Sequence, residues 1–589
     1  MNLLAVDTET NGLAWEDGDF PFIATASDYD RNYLFQLAAH PDDGGPNGWV
    51  QDEIAALRNA ISQADGLIFH NASFDIHMLH ESGIMDREEL LAKPIFDTNI
   101  LARLVVDEWN YGLKNLATKY LQADADKYET AIRECMLNMG IIKKLDQKDV
   151  GSGAYYEVWK AYRKEMEDYA LFDTRYTYDL YYLLKSQATE AQLRCFEVER
   201  AVQPTIIRME AKGVALDTAR IARINDTLES AELDHIERLV ALNGEAFDVN
   251  SRKELLAFFD KQGVVLTART KTDNEISTAE WALEKHADQP AVEAVLAYRT
   301  TNKVLTTYAR PMLDRATIHA DFYQIGARTG RMSCRRPNLQ NIPVRSDEGR
   351  QMRGVFVPRH GYVFVDADYS SIELRLLAYY SNSDQLWDVI NNGDPFLWLG
   401  SQIYGTEDQD TWPVKRQSLK NGFYALMYGA GGPRLAQTIG GGMTPTEGKQ
   451  LAKAMRLALG APYATLQRRL KDTVMSRGYV TTLAGRTQWI ARDKNYVALN
   501  SLIQGSAADI MKVGLTIAAN ALDVIGGYPL LVIHDEIVAE VPIEAARPAD
   551  SLALLQTSME LAGMTLVPSG KLVLKTSGVI CPNSWEEAK

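Results

Sequence analysis

Apolar and polar positions change their period several times along this 589-residue chain, and the changes divide it. Short apolar runs at 3–6 and 67–69 read as buried strands, and 52–64 has the spacing of an amphipathic helix. Strands alternating with helical stretches predict an α/β unit over 1–190. A charged, aromatic stretch from about 122 to 165 predicts helices and loops inserted into that unit. Residues 191–310 are rich in Ala, Leu, Glu and Lys and predict a mainly helical unit. From 311 strands return, and the runs at 363–365 and 530–533 both lead into aspartates. Between them 384–500 is helical in pattern and broken by Gly and Pro. A strand-bearing unit in two parts, 311–383 and 501–589, therefore flanks a helical insertion.

Composition narrows the class. With 46% hydrophobic and 24% charged residues the chain is globular, and its length predicts three to five subdomains at about 100–200 residues each. No stretch approaches the roughly 20 apolar residues of a membrane span. The start MNLLAVDTETNGL has no basic leader and apolar run, so no secretory signal is expected. Cys135, Cys195, Cys334 and Cys581 are scattered without a CxxC pair, which fits a reducing cytoplasm. The net charge of −16 disfavours a bulk attraction to nucleic acid. It leaves room for a local basic groove with weak non-specific, salt-sensitive binding.

Two carboxylate constellations carry the chemistry. The first strand runs into Asp7-Thr8-Glu9, where residues two apart project to one side. Asp75 follows a second strand that ends at His70-Asn71, and Tyr169 and Asp173 share one helical face. Four carboxylates without Cys or His make a hard oxygen site, suited to Mg²⁺ or Mn²⁺ rather than zinc. Two such ions about 3.5–4 Å apart would activate a water at a phosphodiester, with Tyr169 orienting that water. Asp7-Thr8-Glu9 alone reads more readily as an ordinary strand-end turn. The three elements in this order, with Tyr111-Gly-Leu-Lys-Asn-Leu-Ala117, resemble the DEDD-type 3′→5′ exonucleases in their tyrosine-bearing form. That resemblance implies an RNase H-like exonuclease domain over 1–190, with Asp7, Glu9, Asp75 and Asp173 as metal ligands.

The second constellation pairs the strand leading to Asp366-Ala-Asp368 with the strand leading to His534-Asp535-Glu536. An aspartate from each could hold two Mg²⁺ ions between a 3′-hydroxyl and a triphosphate. Arg416, Lys420, Tyr424 and Tyr428 recur every four residues and form one helical stripe. Two cations and two rings suit the phosphates and the base of a nucleotide, and a salt-laced helix with aromatics in a core has the same pattern. These segments resemble motifs A, B and C of family A DNA polymerases, as do Ala327-Arg-Thr-Gly-Arg-Met-Ser333, Pro337-Asn-Leu-Gln-Asn-Ile-Pro343 and Asn500-Ser-Leu-Ile-Gln504-Gly505. Trp585 and Glu586 resemble that family's C-terminal palm strand.

The resemblance implies a multidomain α/β and α+β chain, an RNase H-like exonuclease followed by a right-hand polymerase. Thumb, palm, fingers and palm again would occupy 191–310, 311–383, 384–500 and 501–589. It implies Asp368 and Asp535 as metal ligands with Glu536 in support, and Lys420 as proton donor to leaving pyrophosphate. Arg416 and Lys420 would bind triphosphate, Tyr424 and Tyr428 the sugar and nascent pair, and Glu373 would exclude a 2′-hydroxyl. DNA contacts would come from Thr329, Arg331, Asn338, Gln340, Asn341, Asn500, Gln504 and His534. Implied partners are primer–template DNA and dNTPs, with a processivity factor, helicase or single-strand binding protein open, around a monomer that touches no membrane. By analogy, an active exonuclease without a 5′-nuclease fits phage genome replication better than repair.

Departures from the family pattern also carry expectations. Tyr424 stands where many members have Phe, which implies ready dideoxynucleotide incorporation. Asp394-Pro395-Phe396 replaces Asp-Ile-His, so a phosphate contact is weaker or supplied elsewhere, and Lys589 stands in place of His. No 5′-nuclease is expected before Asp7, and about 110 residues before Pro311 leave little room for an inserted processivity-factor site. His70, His77 and His80 match no metal spacing, the Gly429–Gly432 and Gly440–Gly442 clusters read as turns, and Tyr176, Tyr178, Tyr181 and Tyr182 read as packing. A single-subunit RNA polymerase, or an exonuclease with a degenerate polymerase body serving as a DNA-binding scaffold, are the competing readings.

Overall fold

The computed structural model describes residues 1–41, 48–270, 274–343 and 347–588. Lys589 lies outside the described residues.

The first unit is built on a five-stranded sheet: β1 (Leu3–Thr10), β2 (Pro21–Ser27), β3 (Asn32–Gln36), β4 (Gly66–Phe69) and β5 (Ile95–Asp97), in the order β3-β2-β1-β4-β5. β1 pairs antiparallel with β2 and parallel with β4. Leu4 and Val6 enter one apolar cluster and Leu3 and Ala5 another, so strand alternation buries both faces of the sheet. The predicted insertion forms helices Ala125–Asn138 and Ala154–Ala161, packed around the buried Trp159. The long helix Arg163–Gln187 then crosses β1 and β2, and Thr25 Oγ1 donates to its Ala170 carbonyl at 3.2 Å.

Helix Glu190–Lys212 opens on a capping box formed by Thr189 and Gln192. It leads into the helical unit, where Leu255, Phe258, Phe259 and Val292 close a separate core. The strand-bearing unit is one antiparallel sheet in the order Tyr528–Ile533, Glu536–Pro542, Tyr362–Tyr369, Thr576–Cys581. Helices Ala498–Asp523 and Pro548–Leu566 pack on each other and on this sheet. Strand Tyr362–Tyr369 is longer than the apolar run at 363–365, because its ladder continues through the acidic positions to Asp368↔Glu536.

Position 500/501 falls inside helix Ala498–Asp523 and 310/311 inside the short helix Arg310–Met312. The section 384–500 is not wholly helical: Tyr479–Thr481 pairs with Thr487–Trp489 in a hairpin too short to show an alternating pattern. Trp585 and Glu586 lie on a 3₁₀ turn after the last strand, not in it. There the Trp585 indole packs edge-on to Phe356 and donates to Asp366 Oδ2 at 3.2 Å.

A buried ion network joins the units. Arg486 in the hairpin turn donates through Nε to Asp509 Oδ1 at 3.0 Å and pairs with Glu199, which also accepts from Lys512 Nζ at 2.6 Å. All four side chains are buried. Gly330, at φ +90°, passes directly over this arginine, and a Cβ there would stand 2.4 Å from Arg486 Nε. Gln192 ties the first unit to the same hairpin, donating to the Leu104 carbonyl at 2.8 Å and to Thr487 Oγ1 at 3.0 Å. Among the described residues no helix is long and apolar enough to cross a membrane.

Candidate functional site

In the first unit β1, helix Ala72–Glu81 and helix Arg163–Gln187 bring Asp7, Glu9, Asp75, Tyr169 and Asp173 to one cleft. Thr8 N and Oγ1 donate to Asp75 Oδ1 at 3.0 and 2.7 Å, locking that helix to β1. Burial pushes Asp7 up to about 6 against the opposing charge of Lys114. Burial also raises Glu9 and Asp75, and Asp7 adds repulsion to both. A cavity of about 600 Å³ opens on Glu9, Tyr155 and Tyr169.

Lys114, from the Tyr111-to-Ala117 run, is the residue to which sequence reasoning gave no role. Its Nζ pairs with Asp173 and stands 4.1 Å from the Tyr169 ring centroid, and burial lowers its pKa to about 8. Asp97 was also missed. It accepts from Asn71 N at 3.2 Å and Ala72 N at 2.9 Å, holding the start of the helix that carries Asp75. Its role rests on backbone partners 25 and 26 residues away, which no local pattern shows.

The discounted histidines have structural partners: His70 bonds Thr98 at 2.8 Å, His77 stacks on Trp15 at 4.3 Å, and His80 accepts from Arg87 N at 3.0 Å. Tyr178 and Tyr181 are buried in a core, while Tyr182 keeps 41% exposure.

In the second unit the ladder sets Asp368 opposite Glu536, and Tyr369 N donates to the Asp535 carbonyl at 3.0 Å. Asp366 is buried against Trp585, whereas Asp368 and Asp535 are partly open to the cleft. The turn holds His534 exposed at φ +57°. Burial raises the Asp535 pKa, with Arg331 opposing it from 3.6 Å. Arg331 also donates to Glu373 Oε1 at 3.1 Å, and Tyr428 donates to Glu373 Oε2 at 2.9 Å. Glu373 is raised chiefly by burial, and Gln504 hydrogen-bonds the Tyr428 side chain.

Helix Arg416–Met427 carries the predicted stripe, with Tyr428 as its C-cap. Arg416 Cζ and Lys420 Nζ stand 5.6 and 5.8 Å from the Phe396 ring, which lies 6.0 Å from that of Tyr424. Asp394 caps the neighbouring helix and accepts from Arg416 Nε at 2.8 Å. The Asp-Pro-Phe departure therefore forms a buried aromatic floor and an acid that holds Arg416 in place.

Gln340 Nε2 donates to the Val532 carbonyl at 2.9 Å, and the Thr329 carbonyl accepts from Gln488 at 3.2 Å. Asn338 Oδ1 and Asn500 Oδ1 are buried without a partner among the described residues, and Asn341 is exposed. Among the described residues no three acids, histidines or cysteines stand close enough to hold a metal ion as they are placed. The donor set of both clefts nevertheless fits a hard cation, because the groups that line them are carboxylate oxygens rather than thiolates.

The fold and its clefts define an RNase H-like exonuclease domain followed by a right-hand polymerase. The model for DNA polymerase family A matches residues 218–586, and that for a 3′-5′ exonuclease matches 1–188. The chain belongs to DNA polymerase family A. It is 34% identical over 391 residues to a thermostable DNA polymerase I of Thermus filiformis, covering 63% of this chain and 46% of that protein. It is 28% identical over 628 aligned positions to DNA polymerase I of Synechocystis, covering 100% of this chain and 60% of that one. The chain thus spans about half to three-fifths of these bacterial relatives. The polymerase domain of Pol1 from M. smegmatis, solved with DNA primer-template and dNTP, shares the fold at a TM-score of 0.77 and 23% identity, over 99% of this chain and 96% of that one.

Proposed function

We propose that this chain is a template-directed DNA polymerase that extends a primer with dNTPs and proofreads through its own 3′→5′ exonuclease. One observation carries the reading: a single chain holds two acidic clefts on two different sheets, and only the second faces a helix with the Arg416–Lys420–Tyr424–Tyr428 stripe. Asp368 and Asp535 would hold divalent cations, as would Asp7, Glu9, Asp75 and Asp173. Mg²⁺, with Mn²⁺ as substitute, would supply two-metal charge stabilisation of in-line phosphoryl transfer when bound.

The chain's own residues do the rest. Arg416 and Lys420 lie one helical turn apart and grip the triphosphate, and Lys420 protonates the pyrophosphate that leaves. Glu373, held by Tyr428 and Arg331, occupies the space a 2′-hydroxyl would need and so selects deoxynucleotides. Gln504 and Arg331 face the shared minor-groove acceptors of correct pairs. In the first cleft Tyr169 orients the attacking water. Genome replication in a phage is the setting we propose; the relatives named above are bacterial.

The test is a 5′-labelled primer on a template with Mg²⁺, with and without dNTPs. Extension with dNTPs and shortening without them are expected. Shortening whatever is supplied would replace this reading with an exonuclease on a DNA-binding scaffold.

A further inference from the structure

Two arginines with no role so far lie where the polymerase fold meets the exonuclease cleft. The strand pair Asp321–Tyr323 and Ser333–Arg335 precedes the polymerase sheet and leads into Arg336. Asp321 Oδ2 accepts from Arg336 Nε at 2.7 Å and from Arg335 Nε at 3.3 Å. Arg335 Cζ stands 4.0 Å from the Tyr323 ring centroid. Both arginine side chains stay about half exposed, 56% for Arg335 and 49% for Arg336.

Arg336 lines the exonuclease cavity of about 600 Å³, together with Glu9 and Tyr169. It also lines a neighbouring cavity of about 220 Å³ with Arg335 and Tyr323. Leu13, Phe74 and Arg336 belong to both walls, so the two spaces adjoin along one groove. Four residues after Arg336, Gln340 bonds the strand that ends beside Asp535. At roughly 3.5 Å per residue the two backbones lie within about 14 Å, so one short segment reaches from the exonuclease cavity to the polymerase strand.

The exonuclease cleft itself is short of positive charge for a polyanion. Its carboxylates converge, its buried Lys114 is already paired with Asp173, and along the cavity wall Lys148 stands among three acids, Glu9, Asp19 and Asp149. Backbone phosphates upstream of the scissile bond need cations from elsewhere.

We propose that Arg336, with Arg335 beside it, is a positioning residue for proofreading. The pair holds backbone phosphates of the single-stranded primer end lying in the exonuclease groove, so the polymerase body completes the exonuclease's substrate site. The Phe74 and Tyr323 rings border the same groove and suit bases of any sequence. Asp321 sets the direction of both guanidinium groups before the strand arrives. The inference rests on the exonuclease reading above.

The test uses the full chain carrying R335A/R336A, with R336K as a second variant and thermal melting as the check on folding. A fluorescent single-stranded oligothymidylate is titrated in Ca²⁺ at several salt concentrations, and its degradation is followed in Mg²⁺. The double variant should bind about tenfold or more weakly, with a salt slope shallower by about 1.4 for two lost phosphate contacts. KM for degradation should rise while kcat at saturation stays within about twofold, and R336K should recover part of the affinity as a point charge. Extension of a matched primer, measured in an Asp7→Ala background, should fall several-fold less than degradation. An unchanged affinity and slope overturns the proposal, as does an equal loss of extension, which would place the arginines on the duplex instead. A wild type that degrades no oligothymidylate overturns the exonuclease reading itself, a result distinct from variants that degrade as well as wild type.

Discussion

The two acidic clefts balance charge in opposite ways. In the exonuclease cleft burial raises Asp7, Glu9 and Asp75, repulsion from Asp7 adds to the other two, and one lysine sits inside among them. In the polymerase cleft the acids are spread over three elements. Arg331 lies between Glu373 and Asp535, and the remaining cations, Arg416 and Lys420, stand apart on their own helix. The first arrangement suits a single phosphodiester brought to a compact centre. The second suits an extended substrate, whose triphosphate would meet cations at one end while its reacting phosphorus would lie near the carboxylates at the other. On the proposed reading, similar residue types would serve two reactions through their spacing.

The largest effect that could break this contrast is reciprocal loss. Asp535→Ala should lower primer extension about 10³-fold and leave shortening intact, and Asp7→Ala should do the reverse. Loss of both activities in either variant, read from one labelled-primer gel, would show that the clefts do not act separately. Next comes the buried network that joins the units. Removing one partner with Arg486→Ala leaves Glu199, Asp509 and Lys512 without their fourth member and should cost about 3–5 kcal/mol in urea unfolding.

Glu199 gives that network a pH signature. Burial works to raise its pKa, but Lys512 and Arg486 outweigh it and hold it below the ordinary 4.5. The unfolded chain therefore takes up a proton first as pH falls through 4.5, and stability present above that pH is lost toward the folded value. The urea midpoint of wild type should fall between pH 5 and pH 3.5, and Glu199→Gln should flatten that part of the curve.

Two smaller effects sharpen the comparison. Lys114→Ala removes a resident positive charge from the exonuclease cleft alone. The Mg²⁺ concentration for half-maximal shortening should fall several-fold with that for extension unchanged; a rise would show that the lysine assists cation binding. Tyr424→Phe should leave dNTP extension within about twofold while reducing dideoxynucleotide use about tenfold, the order of one lost hydrogen bond, in a competition assay. A wild type already biased strongly against dideoxynucleotides would remove the role given to that hydroxyl.

Much of both clefts was legible because their chemistry is local. Asp7 and Glu9 on one strand, Tyr169 with Asp173, and the 416–428 stripe are relations of two or four residues, which strand and helix periodicity convert directly into shared faces. The division into an α/β unit, a helical unit and a split sheet followed from the same periodicities. Only tertiary structure decided what lies between distant segments. It set Asp366 against Trp585 and left Asp368 beside the cleft, two neighbours that sequence pattern treats alike. It brought Lys114 to Asp173, turned Phe396 into a floor for Arg416 and Lys420, and set Arg336 of the polymerase body into the exonuclease wall. Periodicity records which way a side chain points from its own element. Which partner it meets depends on how elements hundreds of residues apart pack, and no local pattern encodes that.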